Sequence, residues 1–255
     1  MKIHVCVKHV PDSAATIRIL DKTAIDEQIT FLLNPYDENA IAEAVLLKER
    51  IPEAEIVAIT VGKREAAETL CSVMAMGADR SIHIVCDAPV DAIVTAKALG
   101  RAMRQDGVPD IVFAGKESID SEGMQTMFRL AAELEMPAAT GVVHFETKGG
   151  AVRVFCELES GAKEELEMEL PCVVAAGRGL NRPKYPTLPQ IFRSKRKEIK
   201  TVELDTLVPE RPTSGMEIVE LREATVERKG KRLSGTPEEI TDSLVDILRR
   251  EAKVI

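Results

Sequence analysis

The feature that most constrains this chain is an alternation of short, almost wholly apolar runs with helix-like patterns through its first half. The runs are Ile3–Val7, Glu55–Val61, Ser81–Val85 and Asp110–Ala114, two of them closed by Gly62 and Gly115. Between them Asn34-Pro35-Tyr36-Asp37-Glu38 reads as a helix start, with Asn34 at the N-cap, Pro35 in the first turn and two acids after it. Ile41, Ala44 and Val45 give that helix a buried stripe, and further helices are predicted over 66–76, 90–104 and about 122–134. Strands without polar alternation are buried on both faces. The pattern therefore predicts a doubly wound α/β fold, a mainly parallel sheet with helices on both sides. Ligands of such sheets settle beyond the carboxyl ends of the strands, where strand order reverses. That rule directs attention to the segments after Val7, Val61 and Ala114.

From Val142 the rhythm changes to period two, through Val142–Phe145, Val152–Phe155 and Glu165–Met168, around Gly149-Gly150 and Ser160-Gly161. An antiparallel addition to the sheet is expected there, followed by one more buried strand at Cys172–Ala176. Pro183, Pro186 and Pro189 punctuate an extended loop before the basic run from Arg193 to Lys200. The segment from Val208 to Ser234 lacks an apolar period, and Pro237 to Lys253 reads as an amphipathic helix. So long an irregular stretch is better explained as an arm reaching onto another subunit. The expected division is residues 1–200 as the α/β domain and 201–255 as arm and helix.

Composition excludes several classes. A net charge of −8 points away from nucleic acid and from anionic membranes, and no apolar stretch approaches a membrane span. Five widely spaced cysteines without a CxxC pair suggest reduced thiols, no zinc site and a cytoplasmic setting. Four scattered histidines and no Ser-His-Asp or HExxH pattern leave no catalytic constellation, so no catalytic or metal-binding residue is expected.

The strongest local signal is the strand-to-helix segment Gly115-Lys116-Glu117-Ser118-Ile119-Asp120-Ser121-Glu122-Gly123-Met124-Gln125-Thr126. Orphan N–H groups and the positive end of the helix dipole suit such a place to a phosphate, though its glycine spacing matches neither a P-loop nor GxGxxG. An ordinary capped helix is the competing explanation there, and for Asn34 to Asp37 capping alone is favoured. Leu188 beside the basic run offers an apolar anchor with rim charge for a docking partner; an ordinary solvated face is the default alternative.

Val7-Lys8-His9-Val10, Asn34 to Glu38, Ala75-Met76-Gly77-Ala78-Asp79-Arg80, Gly115 to Asp120 with Gln125-Thr126, and Tyr185-Pro186-Thr187-Leu188-Pro189 occur in this order. Over about residues 1–200 the chain thereby resembles electron-transfer flavoprotein beta subunits. The resemblance implies an adenine-nucleotide α-hydrolase-like fold and an obligate heterodimer whose alpha subunit holds the redox-active FAD. It implies an electron carrier, not a self-sufficient enzyme, with a structural AMP contacted by Cys6, Asn34, Pro35, Tyr36, Asp37, Val61 and Gly115 to Thr126. The phosphate would sit on the N–H groups near Met124, Gln125 and Thr126. It implies docking of acyl-CoA dehydrogenases on the loop of Tyr185, Leu188 and Pro189, a partner contact at Glu157, a C-terminal arm around the alpha subunit, and a quinone-linked oxidoreductase downstream. Val10-Pro11-Asp12-Ser13 leans toward flavin-bifurcating members, so a second FAD in place of AMP, with NADH oxidation, is the alternative. A nucleotide-sensing module of the universal-stress type is the reading from another class.

Overall fold

The structure, a computed structural model, describes residues 1–210, 215–224 and 230–254. The strands in chain order are β1 (Lys2–Cys6), β2 (His9–Pro11), β3 (Phe31–Leu33), β4 (Glu55–Gly62), β5 (Arg80–Val85), β6 (Ile111–Gly115), β7 (Ala138–Lys148), β8 (Ala151–Glu157), β9 (Lys163–Glu169), β10 (Cys172–Ala176) and β11 (Ile199–Glu203). The helices are α1 (Pro35–Arg50), α2 (Ala67–Met76), α3 (Ala92–Asp106), α4 (Thr126–Leu134), α5 (Leu188–Ser194), α6 (Leu204–Leu207) and α7 (Pro237–Arg250). Nine strands form one sheet in the order β11-β5-β4-β1-β6-β10-β7-β8-β9, parallel from β11 to β7 and antiparallel at β8 and β9. β2 and β3 pair separately.

Side chains alternate across the sheet and fill two cores. Ile3, Val5, Ile56 and Phe113 meet Ile41, Leu47, Leu70 and Met74 of α1 and α2 on one face. Val57, Ile59, Ile82 and Val112 meet Leu99, Met103 and Leu130 of α3 and α4 on the other. Burial on both faces is what the unbroken apolar runs require. The hairpin β7–β8 turns on Gly149 and Gly150, both at positive φ (58° and 88°), as a two-residue connection demands.

Two elements around the basic run differ from the sequence reading. Leu188 opens a helix, α5, where an extended loop was expected, because Thr187 N–H donates to Gln190 Oε1 at 2.7 Å and Pro189 lies in the first turn. The basic run is not one exposed face: Lys197 donates to the carbonyls of Met74 and Ala78 at 3.0 and 2.6 Å, closing the end of α2. Its final residues then become β11, parallel to β5. β11 spans position 200, and Leu204, Leu207 and Val208 beyond it are buried.

The Ala75-to-Arg80 motif has a structural explanation. Gly77 stands at φ 145°, where a Cβ would lie 2.6 Å from Val45 Cγ2. Asp79 accepts from Ile56 N–H at 2.7 Å and pairs with Lys48. Arg80 forks between Glu55 of β4 and Asp106 of α3, at 2.8 Å to each. Lys2 and His4 of β1 also face Asp106, at 3.3 and 3.4 Å. One charged cluster thus ties four elements at the amino end of the sheet, opposite the end where ligands settle.

Candidate functional site: a cavity at the carboxyl end of the sheet

A cavity of about 1160 Å³ opens beyond the carboxyl ends of β1, β4 and β6, between α2, α3 and α4. Cys6, Asn34, Asp37, Val61, Gly115 to Ser118, Asp120, Ser121 and Gly123 to Thr126 all line it. The structure thus brings together segments up to 120 residues apart in sequence (from Cys6 to Thr126). Four expected contacts do not line it: Pro35, Tyr36, Ile119 and Glu122. Tyr36 instead carries two cations over its ring, with Lys116 Nζ 5.3 Å and Arg178 Cζ 4.9 Å from the centroid.

Capping does not account for Asn34. Its side chain makes no cap to α1. It reaches across to the loop after β6, where Nδ2 donates to Glu117 O at 2.9 Å and Oδ1 accepts from Ile119 N–H at 3.2 Å. Lys8 holds the same loop from the other side, its Nζ 2.7 Å from Asp120 Oδ1 and 3.3 Å from Ser118 Oγ. Asp37 joins the strand ends beneath, accepting from Lys8 N–H at 2.8 Å and from Gly115 N–H at 2.9 Å. Three side chains therefore fix a loop that has no regular structure of its own.

The two glycines of this loop play unequal parts. At Gly115 a Cβ would sit 2.5 Å from both Asp37 Oδ1 and Tyr36 Cβ, so the close approach is to the protein itself. At Gly123 a Cβ would meet nothing within 4 Å. Its neighbours carry the strain: Glu122 and Met124 are left-handed, at φ 47° and 52°. Such conformations cost on the order of 1 kcal/mol each and gather at functional sites. The turn delays α4 to Thr126, four residues after the predicted start at 122, and α4 carries no side-chain cap. Its first-turn donors therefore lack a side-chain acceptor where Gln125, Thr126 and Met127 line the cavity.

The electrostatics of the floor are unusual for a ligand pocket. Burial pushes the Asp37 carboxyl up to about 7, opposed in part by the Asn34 side chain, the Lys8 and Gly115 N–H groups and the Lys8 charge. Burial first, and Asp37 second, push the Cys6 thiol upward, so it stays protonated and unreactive. His9 is stacked on Phe31 at 4.8 Å and bonded to Thr69 Oγ1 at 2.8 Å; burial lowers it.

Several lining residues were not picked out from the sequence. Cys86 to Ile93 follow directly on β5, so the strand-end rule extended to every parallel strand would have found them. Gly215 and Met216, from the arm, had no local signal. Gly215 N–H donates to Asp91 Oδ2 at 2.8 Å, and Asp91 Oδ1 caps α3 through Ile93 and Val94.

The expected docking residues are exposed and lie away from the cavity. Tyr185 is 82% and Leu188 71% accessible, with Phe192 at 67% one turn along α5. Pro189 is exposed beside them. Glu157 ends β8 on a separate, smaller cleft of about 240 Å³, whose wall of Lys116 and Met124 it shares with the main cavity. On α7 no residue is buried, although Ile240, Leu244, Ile247 and Leu248 recur at helical spacing.

Comparison with known proteins gives a consistent result. The profile of the electron transfer flavoprotein domain matches residues 22–207. The mitochondrial electron transfer flavoprotein subunit beta of Oryza sativa subsp. japonica is 36% identical over 264 residues, covering 100% of both chains. The subunit beta of Bacillus subtilis (strain 168) is 34% identical over 260 residues, again covering 100% of each. That of Sus scrofa is 34% identical over 256 residues, 98% of this chain and 97% of its own.

Proposed function

The chain belongs to the electron transfer flavoprotein family, as a beta subunit, and we propose that it serves as the nucleotide-holding half of a heterodimeric electron carrier. The observation that supports this most is the cavity beyond β1, β4 and β6, walled by a strained loop and the uncapped start of α4. Those residues fit an adenine mononucleotide: N–H groups from Met124 to Thr126, leading into α4, for a phosphate, and the largely apolar strand ends at Cys6 and Val61 for a base. AMP in this site is structural. None of the described residues is placed to do chemistry on it, and the redox-active FAD belongs to the alpha subunit. The incompletely buried apolar stripe of α7 and the arm leading to it are the surfaces offered to that subunit.

Electrons enter from dehydrogenases of the acyl-CoA type that dock on α5 and leave toward a quinone-linked oxidoreductase. The carrier works in the cytoplasm, and no helix among the described residues is long and apolar enough to cross a membrane. Leu188, with Tyr185 and Phe192, supplies the anchor, and Lys184, Arg193, Lys195 and Arg196 supply steering charge. Leu188→Ala should slow reduction by the dehydrogenase about tenfold, a loss of about 1.4 kcal/mol, while leaving the flavin content of the complex unchanged. Stopped-flow kinetics decide this, and unaltered transfer removes α5 from the docking surface.

The nucleotide is tested by denaturing the co-purified complex and separating what it releases. One FAD and one AMP per heterodimer are expected. One observation favours a second reading: at about 1160 Å³ the cavity exceeds the usual upper range of small-molecule sites, roughly 1,000 Å³. A second FAD would use that room, and the complex would then oxidise NADH. Two FAD with no AMP, and bleaching of flavin absorbance by NADH, would establish that alternative over AMP.

A further inference from the structure

The reversal of strand order falls between β1 and β6, whose successors lie toward opposite edges of the sheet. At such a crevice free backbone N–H groups ordinarily greet an anionic part of the ligand. In this chain those donors are already engaged. Lys8 N–H beyond β1 and Gly115 N–H at the end of β6 both point at Asp37, one to each carboxylate oxygen, at 2.8 and 2.9 Å. Asp37 lies in the first turn of α1 and is only 5% exposed. A single side chain therefore spans two strand ends and a helix start at the point where the ligand cavity begins.

We propose that Asp37 is a positioning residue whose carboxylate substitutes for a ligand anion at the strand-order reversal, fixes the start of the 115–126 loop, and thereby directs the anionic end of the nucleotide to α4. The inference rests on the nucleotide reading above and adds the orientation of the ligand and the group that imposes it. A second negative charge cannot share a dry crevice with the first, whereas the uncapped start of α4 supplies unopposed donors. The ionisable neighbours fit this arrangement. From β1 and the segment after it come Cys6, kept neutral, and Lys8, whose amine is turned away onto Asp120. From α1 come Tyr36 and Glu38, and from the loop Lys116 and Glu117, themselves paired at 3.1 Å.

The clasp is kept against stability. Because burial raises the folded-state value from the usual carboxylate range to about 7, the folded chain holds the proton more tightly than the unfolded one. Ionising Asp37 therefore removes stability as pH rises from about 4 to about 7, and above that the loss is complete. Neutralising the side chain should leave the fold intact, which makes the proposal testable. An amide has only one accepting oxygen, and protonation turns one carboxylate oxygen into a weakly accepting hydroxyl, so neither holds both N–H groups as the carboxylate does.

The experiment uses the co-expressed heterodimer stripped of nucleotide, with AMP as titrant, comparing wild type with Asp37→Asn and Asp37→Ala. Both variants should fold, retain the alpha subunit's flavin and bind AMP at least about tenfold more weakly. Formate, a carboxylate small enough to replace the missing side chain, should restore binding to Asp37→Ala. The ratio of wild-type to Asp37→Asn affinity should rise between pH 5.5 and 8, because only wild type gains the clasp as pH increases; titration of the AMP phosphate cancels in that ratio. Unchanged affinity in Asp37→Asn, a ratio flat with pH, or no response of Asp37→Ala to formate would each overturn the proposal. If the complex proves to hold FAD instead, the AMP reading fails by itself, and the same series run with FAD still decides the role of Asp37.

Discussion

Replacing Arg80 with Ala should destabilise the protein by about 3 kcal/mol, seen as a lower urea midpoint with an unchanged transition slope. The reason lies in what the guanidinium leaves behind. Asp106 is 9% exposed and Glu55 39%, so one carboxylate loses its partner in a largely dry place and the other near solvent. The range for breaking a buried pair is about 3–5 kcal/mol, and the wetter Glu55 side argues for its lower end. Burial alone would raise Asp106; the hydrogen bonds and charge of Arg80, then those of Lys2, outweigh it and hold the group at about 2. A carboxyl depressed on folding stabilises above its unfolded value, about 3.9, and that contribution disappears as pH falls toward 2. The gap between wild type and Arg80→Ala should therefore be widest above pH 5 and shrink on acidification. A gap independent of pH would mean that Arg80 acts by packing and not through its charge.

Gly115→Ala should have the second large effect, this time on function as well as stability. The added methyl would lie 2.5 Å from Asp37 Oδ1 and from Tyr36 Cβ, and 2.9 Å from the Tyr36 carbonyl carbon. Tyr36 Cβ and its carbonyl carbon are fixed by the first turn of α1, and the Asp37 carboxylate can turn aside only by giving up its bond to Gly115 N–H. Overpacking of this kind costs about 1–3 kcal/mol. Relief requires β6 and α1 to separate, which breaks the Gly115 N–H bond to Asp37 and displaces the loop that walls the cavity. The purified complex should therefore contain less than about one tenth of the wild-type nucleotide, as measured by chromatography of the denatured extract, while retaining the flavin of the alpha subunit. Wild-type nucleotide content would show that the contact is absorbed without moving the loop. Gly123→Ala is the internal control for stability: a Cβ there meets no protein atom within 4 Å, and little change in stability is expected.

Both effects depend on contacts that a linear reading approaches only in part. The segments Ala75 to Arg80 and Gly115 to Thr126 stand out in the chain, but the reasons differ from the local ones. Gly115 reads as the end of a strand run; in the folded chain it lets α1 come close. Asn34 reads as a helix cap, since Asn before Pro at a helix start satisfies every local rule; its amide instead holds a loop 83 positions further on. The basic run reads as a surface, yet Lys197 closes α2 more than a hundred positions earlier.

What the sequence determined by itself is whatever has a short period. Unbroken apolar runs separated by helical stripes require strands covered on both faces, and Gly149-Gly150 between alternating strands requires a tight hairpin; these depend on neighbours a few residues away. The tertiary structure alone decided that Asp37 would occupy the reversal between β1 and β6, that Arg80 would join β4 and α3, and that β11 would take the edge beside β5. Those outcomes depend on which groups meet once the sheet has closed, and a charge or an amide carries no periodic mark of a partner dozens of residues away. Burial makes such meetings decisive, because a polar group removed from water must find its counterpart wherever the fold has put it.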